Sequence, residues 1–309
     1  MRDRSRIEPA NTMNRIPPET QAMIAALLAE GNTLRGVSRL LRLTPNKVTY
    51  NSVCRNAFWI GNACQRFHDE NVHGLGCPTI QTDEAHSFIY GKGDTGLSNP
   101  IFGTCWTWVS IDPDTRFVVN WHLGGHNASD AAAIMNDLAR RIPGRLQIHT
   151  DQLRHYYSAV QEAFGARAAY ATTRKDIKAA KKTPDGQFEQ GEYEGERVRS
   201  EFGNPDMDLI TTTSVESQNT RLRKWNSRYT RRTIAFSKKL ANMKASLALH
   251  FVYCNFCRSF KTPDGVVASP AMRIGLADRV WKIEALMEKI NVDAGRELWY
   301  LNETARKTA

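Results

Sequence analysis

Hydrophobic positions divide the chain into a helical stretch, an alternating stretch and a second helical stretch. Pro17-Pro18-Glu19 predicts the start of a helix with Met23, Ile24, Leu27 and Leu28 on one face, ended by Gly31-Asn32. Thr33 predicts the cap of a second helix carrying Leu34, Val37, Leu40 and Leu41. Thr44-Pro45 predicts a third: a side-chain cap followed by proline at the first helical position, running to about Asn56 with Val48 and Val53 inward. Three short helices with a tight link before the third predict a helix-turn-helix over 17–57, which would turn Asn46, Lys47, Thr49 and Tyr50 toward a major groove. An ordinary small helical bundle has the same pattern. Residues 1–16 read as a disordered tail, and Gly61, Gly74, Gly76 and Pro78 make 58–78 read as a helix fragment and then a linker.

From Thr79 the period falls to two. Thr79 to Tyr90, Phe102 to Ile111 and Arg116 to Leu123 read as strands, the last two joined by the turn Asp112-Pro-Asp-Thr115. Asn127-Ala-Ser129-Asp130 predicts a capped helix through Arg141 with Ala131, Ile134, Met135 and Leu138 inward. Arg145 to Asp151 reads as a short buried strand, then a helix from Leu153 to Phe164 and a strand from Ala166 to Ala171. The order β-β-β-α-β-α-β is an α/β fold: a mixed sheet with flanking helices over 79–260, preceded by the all-α helix-turn-helix domain. Its strand-helix-strand link makes a right-handed parallel crossover. Should the first and fourth strands be neighbours, Asp83 and Asp151 lie side by side. Apolar helical runs follow from Phe236 to Phe256 and from Ala277 to Ile290, the latter in a helical extension over 261–309.

Charge sharpens this picture. The net charge is +10 and the pI about 9.4, which favours an anionic partner, most commonly nucleic acid. The charge is segregated: Ser217 to Lys244 holds nine Lys or Arg and no acid, whereas Asp185 to Asp208 holds eight acids and two arginines. No apolar run reaches the roughly 18 residues of a membrane span, and Met1-Arg-Asp-Arg-Ser-Arg does not read as a signal peptide, so a cytoplasmic protein is expected. Cys254 and Cys257 form a lone CxxC inside an apolar helical run and read as buried free thiols rather than a zinc site.

Asp151, a carboxylate where a strand runs out, suits a divalent cation, which prefers oxygen ligands. Partners are offered by Asp83, 68 residues upstream, and Glu216, 65 residues downstream. From spacing alone Glu201, Asp206 and Asp208 rival Glu216. Asn219 and Arg223 share a helix face with Glu216, at i+3 and i+7. Glu84, adjacent to Asp83 on a strand, is expected on the opposite face. His149 shares the face of Asp151, as an outer ligand or a satisfied core histidine, and Trp106 and Trp108 read as core.

Four stretches, Ile80-Gln-Thr-Asp-Glu-Ala-His-Ser-Phe-Ile, Gln147-Ile-His-Thr-Asp-Gln-Leu-Arg-His-Tyr-Tyr, Thr213-Ser-Val-Glu-Ser-Gln-Asn and Arg231-Arg-Thr-Ile-Ala-Phe-Ser-Lys-Lys-Leu, resemble the DDE transposases with a ribonuclease H-like catalytic domain, in particular the insertion-sequence-one type. The resemblance covers about 79–275. It implies a ribonuclease H-like mixed sheet, a catalytic and metal-binding triad of Asp83, Asp151 and Glu216, and Mg²⁺ (or Mn²⁺) as cofactor. It further implies DNA strand cleavage and transfer at element ends by a homo-oligomer on double-stranded DNA, in the nucleoid. DNA contacts are expected from Asn46, Lys47, Thr49, Tyr50, Asn219, Arg223, Lys224, Arg228, Arg231 and Arg232. The alternatives are a ribonuclease H-like nuclease without strand transfer and a sequence-specific helix-turn-helix DNA-binding protein with an inactive ribonuclease H-like domain. Members of the group can carry a zinc-binding segment near the N-terminus, and paired cysteines are missing from that part of this sequence.

Overall fold

A computed structural model describes residues 16–92, 103–178, 193–230, 233–261 and 265–293. Helices α1 (Pro18–Ala29), α2 (Leu34–Leu41) and α3 (Tyr50–Asn71) come first. The third helix differs from expectation at both ends. Thr44 does not cap it: its hydroxyl donates to the Leu41 carbonyl at 2.8 Å, and Thr49 supplies the cap instead, accepting from the Ser52 amide at 3.2 Å. Nor does the helix stop near Asn56. Trp59, Ile60, Ala63, Cys64 and Phe67 keep the helical period and are buried, so α3 runs through most of the expected 58–78 linker. Gly61 is a packing residue in mid-helix. A Cβ there would lie 2.1 Å from the Ala245 carbonyl oxygen of α7 (Leu240–Phe256), so the missing side chain is what lets the two helices approach.

The sheet has strands β1 (Thr79–Ile89), β2 (Gly103–Ile111), β3 (Val118–Gly124), β4 (Leu146–Asp151), β5 (Ala168–Ile177) and β6 (Tyr193–Phe202), in the order β3-β2-β1-β4-β5-β6. β1, β4 and β5 are parallel and the other pairings antiparallel, a mixed sheet as expected. β6 was not foreseen, because its mostly exposed charged residues carry almost no apolar alternation. Helix α4 (Ala128–Arg141) is capped by Asn127, whose side chain accepts from the Ser129 and Asp130 amides. α5 (His155–Phe164) connects β4 to β5, and α6 (Thr213–Trp225) follows β6. The chain continues after α7 through the short pair β7 (Phe260–Lys261) and β8 (Val267–Ala268), then α8 (Pro270–Arg273) and α9 (Ile283–Ile290). The expected tail lies outside the described residues, apart from Ile16.

Two buried clusters hold this together. Val109, Val215, Leu222, Leu247 and Phe251 join the sheet to α6 and α7. The larger cluster runs from Ile24, Val37, Leu41 and Val53 of α1–α3 through Ile80, Trp108 and Ile148 of the sheet to Leu249 and Phe256 of α7. The first three helices thus share a core with the sheet rather than enclosing one of their own. Among the described residues no helix is long and apolar enough to cross a membrane.

Candidate active site

Parallel pairing of β1 and β4 sets Gln81 opposite His149. Two residues further along each strand come Asp83 and Asp151, on the same face and side by side. The hydrogen-bonded register of β1 and β4 ends at Gln81 and His149, while β1 stays paired to β2, with Asp83 opposite Val109 and Glu84 opposite Trp108. Glu84 points to the face opposite Asp83, as its place on the strand requires, toward Tyr156 of α5, while Asp83 bonds Asn219 of α6. One carboxylate oxygen from each of Asp83, Glu84 and Asp151 lies within 4.8 Å of the others.

Burial is the main cause of the electrostatics. It pushes the Asp83 carboxyl up to about 6, with the charges of Asp151 and Glu216 adding to the rise. Glu84 goes up to about 8, again by burial first and then by the charge of Asp151. Asp151 is raised by burial, against the Leu153 amide, which donates to it at 3.0 Å. Among the described residues no Lys or Arg pairs with any of the three. Tyr156 of α5 donates to Glu84. His126 Nε2 lies 3.9 Å from Glu84 Oε2, but burial lowers its affinity for a proton, so it brings little compensating charge. Its ring stacks on Trp106 with centroids 4.4 Å apart. Three crowded oxygen donors with uncompensated charge match what a hard divalent cation requires.

Helix α6 delivers the fourth carboxylate. Its N-cap residue, Thr212, makes no side-chain cap bond. Gln81 of β1 takes that role: its Oε1 accepts from the Ser214 and Val215 amides at 3.0 and 3.1 Å, fixing the helix start to the strand that bears Asp83. Glu216 faces Asp83 and Asp151 across a cleft of about 680 Å³ whose walls include Thr173, Lys175 and Thr212. It accepts from Thr212 Oγ1 at 2.6 Å and from Lys175 Nζ, so an ammonium holds its charge. The rivals point elsewhere and do not line the cleft. Glu201 accepts from Thr172 at 2.8 Å, and the Asp206 backbone is gripped by the Gln147 amide. His149 is fully buried against Gln147, and burial pushes its imidazole down to about 4.

The residues expected at DNA are scattered in role. Asn46 and Lys47 lie in an exposed loop, not on a helix, and Asn46 donates to Thr20 at 3.2 Å. Thr49 is a helix cap and Tyr50 sits under the Arg35 guanidinium, 5.2 Å from its ring centre. Asn219 is 2% exposed and donates to Asp83 Oδ2 at 2.9 Å, so it positions that carboxylate instead of facing duplex. Arg223 is half-buried and Lys224 exposed on α6. Arg228 is half-buried and bonded to Ser237 and Ser246. Arg231 and Arg232 lie outside the described residues. Gln81, His126, Lys175 and Tyr156 were not anticipated at the site. Gln81 and Tyr156 fall within the stretches that carry the resemblance, whereas His126 and Lys175 lie outside them.

Neither a protein-family model nor a curated protein matches this sequence. Solved structures do. The crystal structure of the Mos1 strand transfer complex matches over 51% of this chain and 58% of that one, at 14% identity and a TM-score of 0.21. This chain therefore spans under two thirds of that neighbour's length. A cryo-EM structure of the piggyBac transposase synaptic complex with hairpin DNA matches over 94% and 73%, at 10% identity and a TM-score of 0.42. The mariner Mos1 paired end complex with Mg matches over 81% and 82%, at 13% identity and a TM-score of 0.24. At such scores the functional reading rests on the site itself.

Proposed function

We propose that this chain is a metal-dependent transposase, resembling the insertion-sequence-one type, that cuts and joins DNA at the ends of a mobile element. One observation carries the reading: Asp83, Glu84 and Asp151 crowd their carboxylates at the ends of neighbouring strands, with Glu216 across the same cleft. Asp83 and Asp151 are the residues to hold Mg²⁺, or Mn²⁺ in its place, with Glu216 as third ligand and Glu84 as neighbour. Such ions, when bound, neutralise a scissile phosphate and activate water or a DNA 3′-hydroxyl for in-line attack.

The chain's own contribution is positioning, which phosphoryl transfer chiefly needs, and no protein nucleophile is required. Asn219 aims the Asp83 carboxylate by its amide, and Gln81 keeps Glu216 in register with β1. Lys175 balances Glu216 in the resting state and lies where a phosphate would enter the cleft. Lys224 and Arg223, with Arg231 and Arg232 in the same basic stretch, suit the DNA backbone. Asn46, Lys47 and Thr49 form an exposed patch for duplex outside the cleft. Action as a homo-oligomer on DNA in the nucleoid belongs to the same proposal.

A specific observation favours the second reading, a DNA-binding protein with an inactive cleft: Lys175 already neutralises Glu216. The two readings separate with purified protein, a labelled duplex carrying the element's end, and Mg²⁺. Cleaved and joined products from wild type, absent for Asp151→Asn, support the transposase. Specific binding without cleavage by either protein supports the inactive cleft.

A further inference from the structure

A second cavity, of about 630 Å³, opens on another part of the molecule, where α2 and the start of α3 meet residues 225–228, residues 234–238 and α7. Among the described residues its walls combine cations with aromatic rings and include no Asp or Glu. Arg228 donates from Nε to Ser237 Oγ at 2.7 Å and from Nη1 to Ser246 Oγ at 3.3 Å. Among the described residues no carboxylate pairs with it. Arg35 lies over Tyr50, 5.2 Å from the ring centre. Lys238 lies over Phe236 at 4.3 Å, and its ammonium donates to the Tyr90 carbonyl at 2.8 Å. Trp225 lines the same space.

A half-buried guanidinium that lacks a counter-charge calls for an anion. The flanking rings call for a planar, stackable partner. The volume lies in the range of small-molecule sites and is too small for a duplex, so a single unstacked nucleotide is the unit that fits. We propose that this cavity binds one nucleoside phosphate, with its base against Tyr50, Phe236 or Trp225 and its phosphate on Arg228, aided by Arg35 and Lys238. The nucleotide comes either from free solution or from a DNA strand that swings it out of the stack. The inference rests on the cavity alone and does not require the carboxylate cleft to cut DNA.

The full chain is titrated by calorimetry with dAMP, adenosine and inorganic phosphate, and by fluorescence with a single-stranded oligonucleotide carrying 2-aminopurine. The expectation is that dAMP binds, that adenosine and phosphate each bind roughly tenfold more weakly, and that Arg228→Gln and Phe236→Leu each weaken dAMP by a similar factor. Thermal unfolding checks that the variants fold. Lys238→Gln, at an exposed position, provides the same comparison if Arg228→Gln lowers Tm. Displacement of dAMP by the oligonucleotide, or an oligonucleotide signal alone that both substitutions abolish, assigns the nucleotide to DNA. Binding of dAMP that the oligonucleotide does not displace assigns it to free nucleotide. Absence of dAMP binding, with a 2-aminopurine signal indifferent to every substitution, overturns the proposal.

Discussion

Replacing Asp83 by Asn should stabilise the protein while abolishing any activity of the cleft. In the folded chain the Asp83 carboxyl titrates near 6, against its usual 3.8, because of burial and then the charges of Asp151 and Glu216. A raised carboxylate pKa means that the folded state holds its proton more tightly. Stability from this group is therefore fully present below 3.8 and is lost as pH rises through about 6. At pH 8 the ionised group costs roughly 3 kcal/mol, at about 1.4 kcal/mol per pH unit; at pH 4 the cost falls below about 1 kcal/mol. Asn removes the charge and keeps the shape. Asn219 can also keep its hydrogen bond, because its Oδ1 has no partner and can accept from the new amide once Asn219 turns over. Urea unfolding in EDTA should show Asp83→Asn more stable than wild type at pH 8, with the gain nearly gone at pH 4. A variant no more stable than wild type at pH 8, or equally stabilised at both pH values, would refute the idea that burial holds this carboxylate at a penalty a cation could relieve.

Three further outcomes follow from named contacts. Gly61→Ala sets a methyl group against the Ala245 backbone, so α3 and α7 must part, and a loss of about 1–3 kcal/mol is expected in thermal or urea unfolding. Gln81→Ala strands the Ser214 and Val215 amides, costing about 1–3 kcal/mol, and limited proteolysis should cut sooner near residue 212. His250 is buried in α7 and its imidazole is pushed down to about 3, so the stability it allows is present above 6.5 and is lost as pH falls through that range toward 3. His250→Gln should flatten this acid limb of a pH–stability curve, and an unchanged limb would place the acid sensitivity elsewhere.

The legible parts of this chain were those governed by local rules. Asn127 announced α4 because a side-chain cap needs only its own neighbours. The adjacency of Asp83 and Asp151 was legible on the condition that the first and fourth strands be neighbours, which the sheet order meets. Errors arose where distant packing decided the outcome. Gly61 reads with the glycines of a less regular 58–78, because nothing local shows that α7 presses against it. Thr44-Pro45 looks like a better helix start than Thr49, but Val48 is buried in the loop between them, and the helix begins after it. Glu84 sits on the face that strand periodicity gave it, but periodicity did not show that its carboxylate still comes within 4.8 Å of Asp83 and Asp151. Lys175 and Glu216 are 41 residues apart, and nothing in either one's neighbours announces their pairing.

The long α3 also bears on how this protein can be divided. The helix has 22 residues, about 33 Å at the usual rise. Its first turns pack beside α1 and α2, while Phe67 stacks edge-on against Phe256 of α7 and Trp281. A cut anywhere along it would split one rod between two fragments. A fragment starting at residue 79 would leave the α7 surface around Ala245 and Phe256 facing water, and should aggregate rather than fold alone. Soluble fragments of this chain must therefore retain α3 whole, and insertions are best tolerated in the exposed turn at 42–47.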